Sequence, residues 1–470
     1  MAKKQKIAIS NDTARDIAVN CIIDFEYNKI RISDSLDEIC SENDTEPRER
    51  SFANELALGT CRRMLTLDHI IQKYSKRPLR GLEPAIHNIL RVGLYQLLYM
   101  TGTPDHAAIS QAVDQAKKAG LIFPSKFING LLRSVQRDIA ATTDYPNDLP
   151  LRRTLPISHK ECIAFRKDIF PDPKTSLAKY LTAVHSIPKW IIERLLKQLG
   201  PDNTTKLCIA YNHRPPLTLR PNSLKTDIAQ FSQMLADVDI EFQVVEPVIQ
   251  LLSNIAVRDI PGFDEGLFYV QDITAAKVSE LLEAKAGQRI LDLCAAPGGK
   301  ACHIAELTAD KATILTCDIN DDKLATIKEN CQRLGIKSIE TISADDLNAK
   351  MESIEAFDII LADVPCSNTG VLAKRVEARY VLKPSDISRN AKTQLALLEK
   401  AIKLLKPNGR LLYSTCSIDH GENAGLVDKL LAENSNIELI AQELTLPDVQ
   451  LIQDKTIYND GGFTALFAKK

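Results

Sequence analysis

The sequence predicts three domains in a row: an N-terminal all-α bundle, a small α+β module, and a C-terminal doubly wound α/β domain. Three observations predict this. Apolar residues recur at three- and four-residue spacing between residues 14 and 139. A short mixed region of helices and strands follows, to about residue 265. From residue 266 near-continuous apolar runs alternate with amphipathic ones, the pattern of parallel strands buried under helices. A chain of 470 residues has room for all three at about 150 residues per domain.

In order, the bundle is predicted over residues 1–145, with helices in 14–27, 52–74, 84–100, 107–120 and 125–139. Pro78, Gly81, Pro104, Gly120 and Pro124 punctuate these runs, and Glu83-Pro84 and Phe123-Pro124 read as helix starts. The second domain is set at residues 146–265; residues 141–178, without a sustained period and holding Pro146, Pro150, Pro156, Pro171 and Pro173, read as a linker. Then come a helix (IPKWIIERLLKQLG), a strand (LCIAYN), a strand (PLTLRPN), a helix (TDIAQFSQMLADV) and a strand (EFQVV). The third domain, residues 266–470, shows strands at GQRILDLCAAP, ATILTCDIN, IETISAD, FDIILADVPC and GRLLYSTCS, with helices between.

Composition excludes several classes. Apolar residues make up 44% and charged residues 26%, ordinary for a globular chain. Fifty-nine basic against 61 acidic residues give a net charge of −2, so any nucleic-acid binding must come from local patches. No run approaches ~18 apolar residues, and the basic start MAKKQKIAIS lacks a signal-peptide core, so a cytoplasmic protein is expected. The 11 cysteines include no CxxC pair, and neither a disulfide framework nor a metal site is expected.

The first strand of the third domain runs into DLCAAPGGK, residues 292–300. Gly298 and Gly299 sit where strand becomes helix, and glycine there lets backbone approach a ligand. Asp318 ends the second strand, an acidic position that suits ribose hydroxyls. Asp345, after the third strand, is placed to reach an adenine. GxGxxG and GxxxxGK[ST] are both absent, and Pro297 removes a backbone N–H that a pyrophosphate would use. A phosphate-free adenosine cofactor fits best, and S-adenosylmethionine is the expected one.

Cys366 and Cys416 each follow the end of an apolar strand. Fourth and fifth strands of such a sheet are neighbours ~4.8 Å apart, so both thiols and Asp363 are expected to converge at the edge where ligands bind. The other cysteines read as core or loop packing. This set suits methylation at C5 of a pyrimidine. A thiolate adding at C6 turns C5 into a nucleophile. An acid such as a protonated Asp363 then offsets charge at N3.

Together DLCAAPGGK, ADVPCSNTG, YSTCS and VQD (270–272) resemble the RNA cytosine-C5 methyltransferases of the NOL1/NOP2/Sun family. The segments 77–99 and 126–138 look like the NusB-like domain fused to the members that act on bacterial 16S ribosomal RNA, and YNHRPPLTLRPN (211–222) looks like their small RNA-binding module. The resemblance implies that Cys416 attacks C6, that Cys366 assists proton removal and release, and that Asp363 contacts N3. It implies that Cys294, Ala295, Ala296, Pro297, Gly298, Gly299 and Lys300, with Asp318, Asp345 and Asp363, hold S-adenosylmethionine. It implies 16S rRNA, free or in an early assembly state, as partner of a monomer that needs no metal or membrane.

Arg214, Arg220, Lys374, Arg375 and Arg379 are candidate RNA contacts. The segment VLAKRVEARY (371–380) departs from the family: Val376, Glu377 and Arg379-Tyr380 replace Pro, Asp and Lys-Trp. Asn368 is larger than the usual residue at its position. Two alternatives stay open: the same chemistry on tRNA or another RNA, and an RNA-binding or ribosome-assembly protein.

Overall fold

The computed structural model describes residues 9–100, 102–145, 148–452 and 455–470; the first eight residues and Pro146 of the expected linker lie outside these. Two compact units make up the chain. The first takes in residues up to His213 together with Arg379–Val381, the second Arg214–Ala378 and Leu382–Lys470.

The first unit opens on helices Ala14–Ile23, Ile32–Glu42, Pro47–Arg62, Met64–Tyr74, Pro84–Tyr99, Asp105–Lys118 and Ile122–Asp138. Each expected run is helical, but the helix over 32–42 was not foreseen. Its charges mask a stripe of Ile32, Leu36, Ile39 and Cys40 that is buried. The single run expected over 52–74 is two helices, parted at Arg63. The break is tertiary in origin: Arg63 is buried, stacks 4.5 Å from the Tyr99 ring and donates to the Ile157 carbonyl at 3.1 Å. Helix Pro84–Tyr99 starts with proline at its first turn, where no N–H is needed. Its buried Arg91 pairs with Asp68 and Glu26, each at 2.7 Å. Burial alone would raise the Asp68 carboxyl, but Arg91 and His87 outweigh it and bring it down to about 2.

The expected linker folds in part. Strands Ile139–Asp144, Glu161–Phe165 and Thr154–Pro156 form an antiparallel sheet in that order. Strands of three to six residues are too short to show a period. The segment LCIAYN is helix, not strand: it lies in Lys189–Asn212, kinked at Gly200. A short apolar run does not distinguish the two by itself.

In the second unit, strands Phe242–Val245, Val248–Leu251, Thr218–Pro221 and Phe268–Val270 form an antiparallel sheet in that order, over a core of Leu219, Phe231, Leu235 and Phe268. The larger sheet has seven strands, numbered here β1 (Arg289–Asp292), β2 (Thr313–Asp318), β3 (Ile339–Ser343), β4 (Phe357–Asp363), β5 (Leu405–Thr415), β6 (Ile437–Thr445) and β7 (Gly462–Lys469). Their order is β3-β2-β1-β4-β5-β7-β6. The first five run parallel, and β7 is antiparallel to both its neighbours. Ile359, Ile360, Leu361 and Ala362 of β4, with Leu411, Leu412 and Tyr413 of β5, are buried on both faces, which is why these strands read as continuous apolar runs. The chain reverses direction across the sheet at β1, so the carboxyl ends of β1, β2, β4 and β5 open on one crevice.

Candidate active site

β1 ends at Asp292, and the chain passes through Leu293–Pro297 into the helix Gly299–Leu307. Gly298 has φ +98°, a left-handed conformation that disfavours other residues, and a Cβ there would meet Ile327 at 3.3 Å. The Ala296–Pro297 peptide is cis. Asp318, at the end of β2, accepts from the Ala296 N–H at 3.3 Å and the Asn320 N–H at 3.2 Å. Beside it Ile319 is 88% exposed, an apolar side chain in a polar loop. Asp345 is exposed in the first turn of a helix, Ala344–Ala349, that Ser343 caps.

Lys300 joins this loop to β4. Its Nζ lies 2.5 Å from Asp363 Oδ2. Burial works against the Lys300 charge, but Asp363 outweighs it and the ammonium is held above its ordinary pKa. Asp292 is fully buried, and its Oδ1 has no hydrogen-bond partner among the described residues. Burial first, then the neighbouring Asp363, push its carboxyl up to about 7. Asp292 and Ile319 were not singled out from sequence. The signal for Asp292 was its place as the first residue of DLCAAPGGK; Ile319 is an apolar side chain between polar ones.

β4 and β5 bring the two thiols together. Asp363 pairs with Ser414 in the β4–β5 register, and Cys366 and Cys416 follow, sulfur to sulfur 3.0 Å. The Cys416 thiol also faces Asn368 Oδ1 at 3.2 Å, and Asn368 Nδ2 donates to the Cys366 carbonyl at 3.1 Å. Asn368 stands at φ +59°, a backbone shape that asparagine tolerates better than most residues. The hydrogen bond with Cys416, then burial, raise the Cys366 pKa well above its ordinary value. A cavity of about 390 Å³ opens beside Cys416, lined by Lys300, Asp363, Thr415 and Phe463 among others. The cysteines read as core, Cys21, Cys40, Cys61, Cys162, Cys208, Cys302, Cys317 and Cys331, are all buried.

The arginines divide. Arg220 is buried, paired with Glu306 and bonded to Gln271 Oε1 at 2.6 Å, so it is not available to a phosphate. Arg379 is also buried, within the first unit, and donates to the Tyr211 and Arg62 carbonyls and to Asn212 Oδ1. Both expectations of RNA contact are corrected: a fully enclosed guanidinium serves the fold. Lys374 is held by Asp272 at 3.1 Å and Asp460 at 2.6 Å, with about a third of its side chain exposed. Arg214 and Arg375 are exposed.

Comparison with known proteins identifies the family. A family described as 16S rRNA methyltransferase RsmB/F matches residues 279–464. The NusB family matches 12–137, and an RsmF/B-like ferredoxin-like domain matches 187–258. The crystal structure of PH0851 superposes with a TM-score of 0.72 at 23% identity, covering 97% of this chain and 99% of that one; it bears on fold alone. The ribosomal RNA small subunit methyltransferase B of Yersinia pseudotuberculosis is 31% identical over 90% of this chain and 91% of its own. The probable ribosomal RNA small subunit methyltransferase B of Bacillus subtilis is 31% identical over 93% of this chain and 92% of its own, and on this likeness the chain belongs to the RsmB/F family of 16S rRNA methyltransferases.

Proposed function

We propose that the protein transfers a methyl group from S-adenosylmethionine to C5 of a cytosine in 16S rRNA, through a covalent bond between Cys416 and C6. The observation that carries this reading is the pair of thiols 3.0 Å apart at the ends of adjacent parallel strands, beside the Lys300–Asp363 pair. The donor set fits a cationic adenosine cofactor. Asp292 offers a buried, unpartnered carboxyl oxygen, Asp318 and Asp345 follow the next two strands, and Ile319 offers an apolar face to a ring. When bound, S-adenosylmethionine supplies a methyl group on a positively charged sulfur.

The chain's own residues do the rest. The Cys416 thiolate forms a bond to C6, and the ring's electron pair moves so that C5 becomes nucleophilic. N3 takes up a proton as this happens. Where the sequence suggested a protonated Asp363, the Lys300 ammonium that donates to Asp363 is the proton source, and Asp363 orients it. Once the Cys416 sulfur is bonded to C6, the hydrogen bond that raises Cys366 is lost; Cys366 then gives its own proton to solvent and, after C5 has gained the methyl group, removes the C5 proton. The electron pair returns to form the C5–C6 double bond, the bond between Cys416 and C6 breaks, and N3 gives its proton back to Lys300. The target must be single-stranded or flipped out, because attack on C6 needs access to a ring face. The small domains, 1–145 and 146–265 by the sequence reading, supply affinity for the RNA.

The two thiols can be told apart on a denaturing gel. Cys416→Ala is expected to give no protein–RNA adduct and no methyl transfer, with cofactor affinity kept. Cys366→Ala is expected to transfer the methyl and then stall as a slow-migrating adduct that requires both RNA and S-adenosylmethionine. An adduct in Cys416→Ala but not in Cys366→Ala would reverse the roles, and no adduct in either variant would remove Cys366 from the release step. Bisulfite sequencing of 16S rRNA and tRNA from a deletion strain separates the substrates.

A further inference from the structure

Each cysteine of the pair is followed by a serine, and both serines end on the same buried carboxylate. Glu422 is fully buried in the turn His420–Glu422 after β5. It accepts from the Ser367 N–H at 2.9 Å, from the Ser367 hydroxyl, and from Ser417 Oγ at 2.7 Å. Asn390 Nδ2 at 3.1 Å and Gln394 Nε2 at 3.3 Å donate to it as well. Gln394 also holds the Pro365 carbonyl at 2.9 Å, just ahead of Cys366. Thr369 completes the set: its hydroxyl meets Ser417 Oγ at 3.0 Å and accepts from the Ile418 N–H at 2.9 Å.

Every group on the Glu422 carboxylate is a neutral donor, and among the described residues no cation pairs with it. Burying a carboxylate is costly unless its oxygens are fully hydrogen-bonded, and an apolar residue would fill a purely structural core position more cheaply. What this position does is specific. One carboxylate oxygen, Oε2, accepts from both serine hydroxyls and so ties the loop after β4 to the loop after β5, each one residue from a reacting sulfur, while Oε1 accepts from the Ser367 N–H and the two amides. A negative charge here also opposes ionisation of Cys366, adding to the hydrogen bond from Cys416 and to burial.

We propose that Glu422 is the positioning residue for the thiol pair: by gripping Ser367 and Ser417 it sets the Cys366 and Cys416 sulfurs at their working separation. The proposal rests on the catalytic reading of both cysteines given above.

The test compares Glu422→Ala and Glu422→Gln in the full chain, with transcribed 16S RNA and S-adenosylmethionine. Glutamine can keep its oxygen on the three N–H donors while the serine hydroxyls turn to accept from its amide. Misplacing reacting groups by ~1 Å loses roughly 100-fold in rate. Glu422→Ala is therefore expected to lower the single-turnover methylation rate about 100-fold while its cofactor affinity by calorimetry stays near wild type. Glu422→Gln, which restores the hydrogen bonds, is expected to recover most of that loss.

A second readout needs no catalysis. Diamide should cross-link Cys366 to Cys416 quickly in the wild type and in Glu422→Gln, and slowly in Glu422→Ala, as scored by peptide mass after alkylation. Wild-type methylation and cross-linking rates in Glu422→Ala would overturn the proposal. So would equal impairment of the two variants. Should Glu422→Ala fail to fold, Ser367→Ala and Ser417→Ala each remove one serine hydroxyl from Oε2; unchanged rates in both would overturn it too. If Cys416→Ala remains active, the catalytic reading fails, yet the cross-linking rates still judge whether Glu422 aligns the sulfurs.

Discussion

At the scale of single residues, carboxylates with different surroundings do different work. Asp318 is nearly buried and holds two backbone N–H groups, with Lys323 at 3.6 Å. Asp318→Ala is expected to weaken S-adenosylmethionine binding by ~1.5–3 kcal/mol, the worth of a charge-assisted hydrogen bond, with RNA affinity unchanged; calorimetry showing equal cofactor affinity would make Asp318 a strand-end residue only. Asp292 is the opposite case. Its carboxyl is pushed up to about 7 by burial and by Asp363. A folded-state pKa above the unfolded value gives stability that is complete below ~3.9 and is lost as the pH climbs through about 7. Asp292→Asn cannot titrate. The stability of the variant relative to wild type should therefore rise by about 3 kcal/mol from pH 5 to pH 8. A thermal-unfolding difference that is flat across this range would count against the buried, protonated carboxyl.

At the scale of elements, β1, β2, β4 and β5 were legible because strands buried on both faces read as near-continuous apolar runs, and the site lies where those runs stop. That put Asp318, Asp363, Cys366 and Cys416 within reach of inspection. β6 was not legible: apart from Ile437 its residues are exposed or half-buried, and IELIAQELT reads as polar edge. Arginine was the least legible residue. Nothing near Arg220 in sequence announces that its partner is Glu306, 86 residues on. The pair fastens the strand Thr218–Pro221 to the helix Gly299–Leu307 within the second unit. Arg220→Ala is expected to destabilise by ~3–5 kcal/mol, because it strands a buried carboxylate, and to leave RNA affinity of the folded protein as it was. Arg220→Met combined with Glu306→Leu should regain most of the lost melting temperature, since both charges leave together. A stable Arg220→Ala with weakened RNA binding would restore the arginine to the interface.

At the scale of the whole molecule, the order in which strands occur in the chain differs from their order in the sheet. β7 comes after β6 yet lies between β5 and β6. A chain ending before Gly462 would leave both flanking strands with open edges and remove Phe463, Ala465 and Phe467 from the core. Such a truncation is expected to aggregate on expression, and a soluble form with cooperative unfolding would show that β7 is dispensable. The same topology has a consequence during synthesis. β5, with Cys416 just beyond it, is made early but cannot be flanked until β7 follows. At ~5–20 residues per second that wait lasts roughly 3–10 s on the ribosome. Until then the nascent chain carries both thiols next to a raw strand edge, so a translational pause between Thr445 and Gly462 is the moment at which this protein is most open to pairing with a stranger.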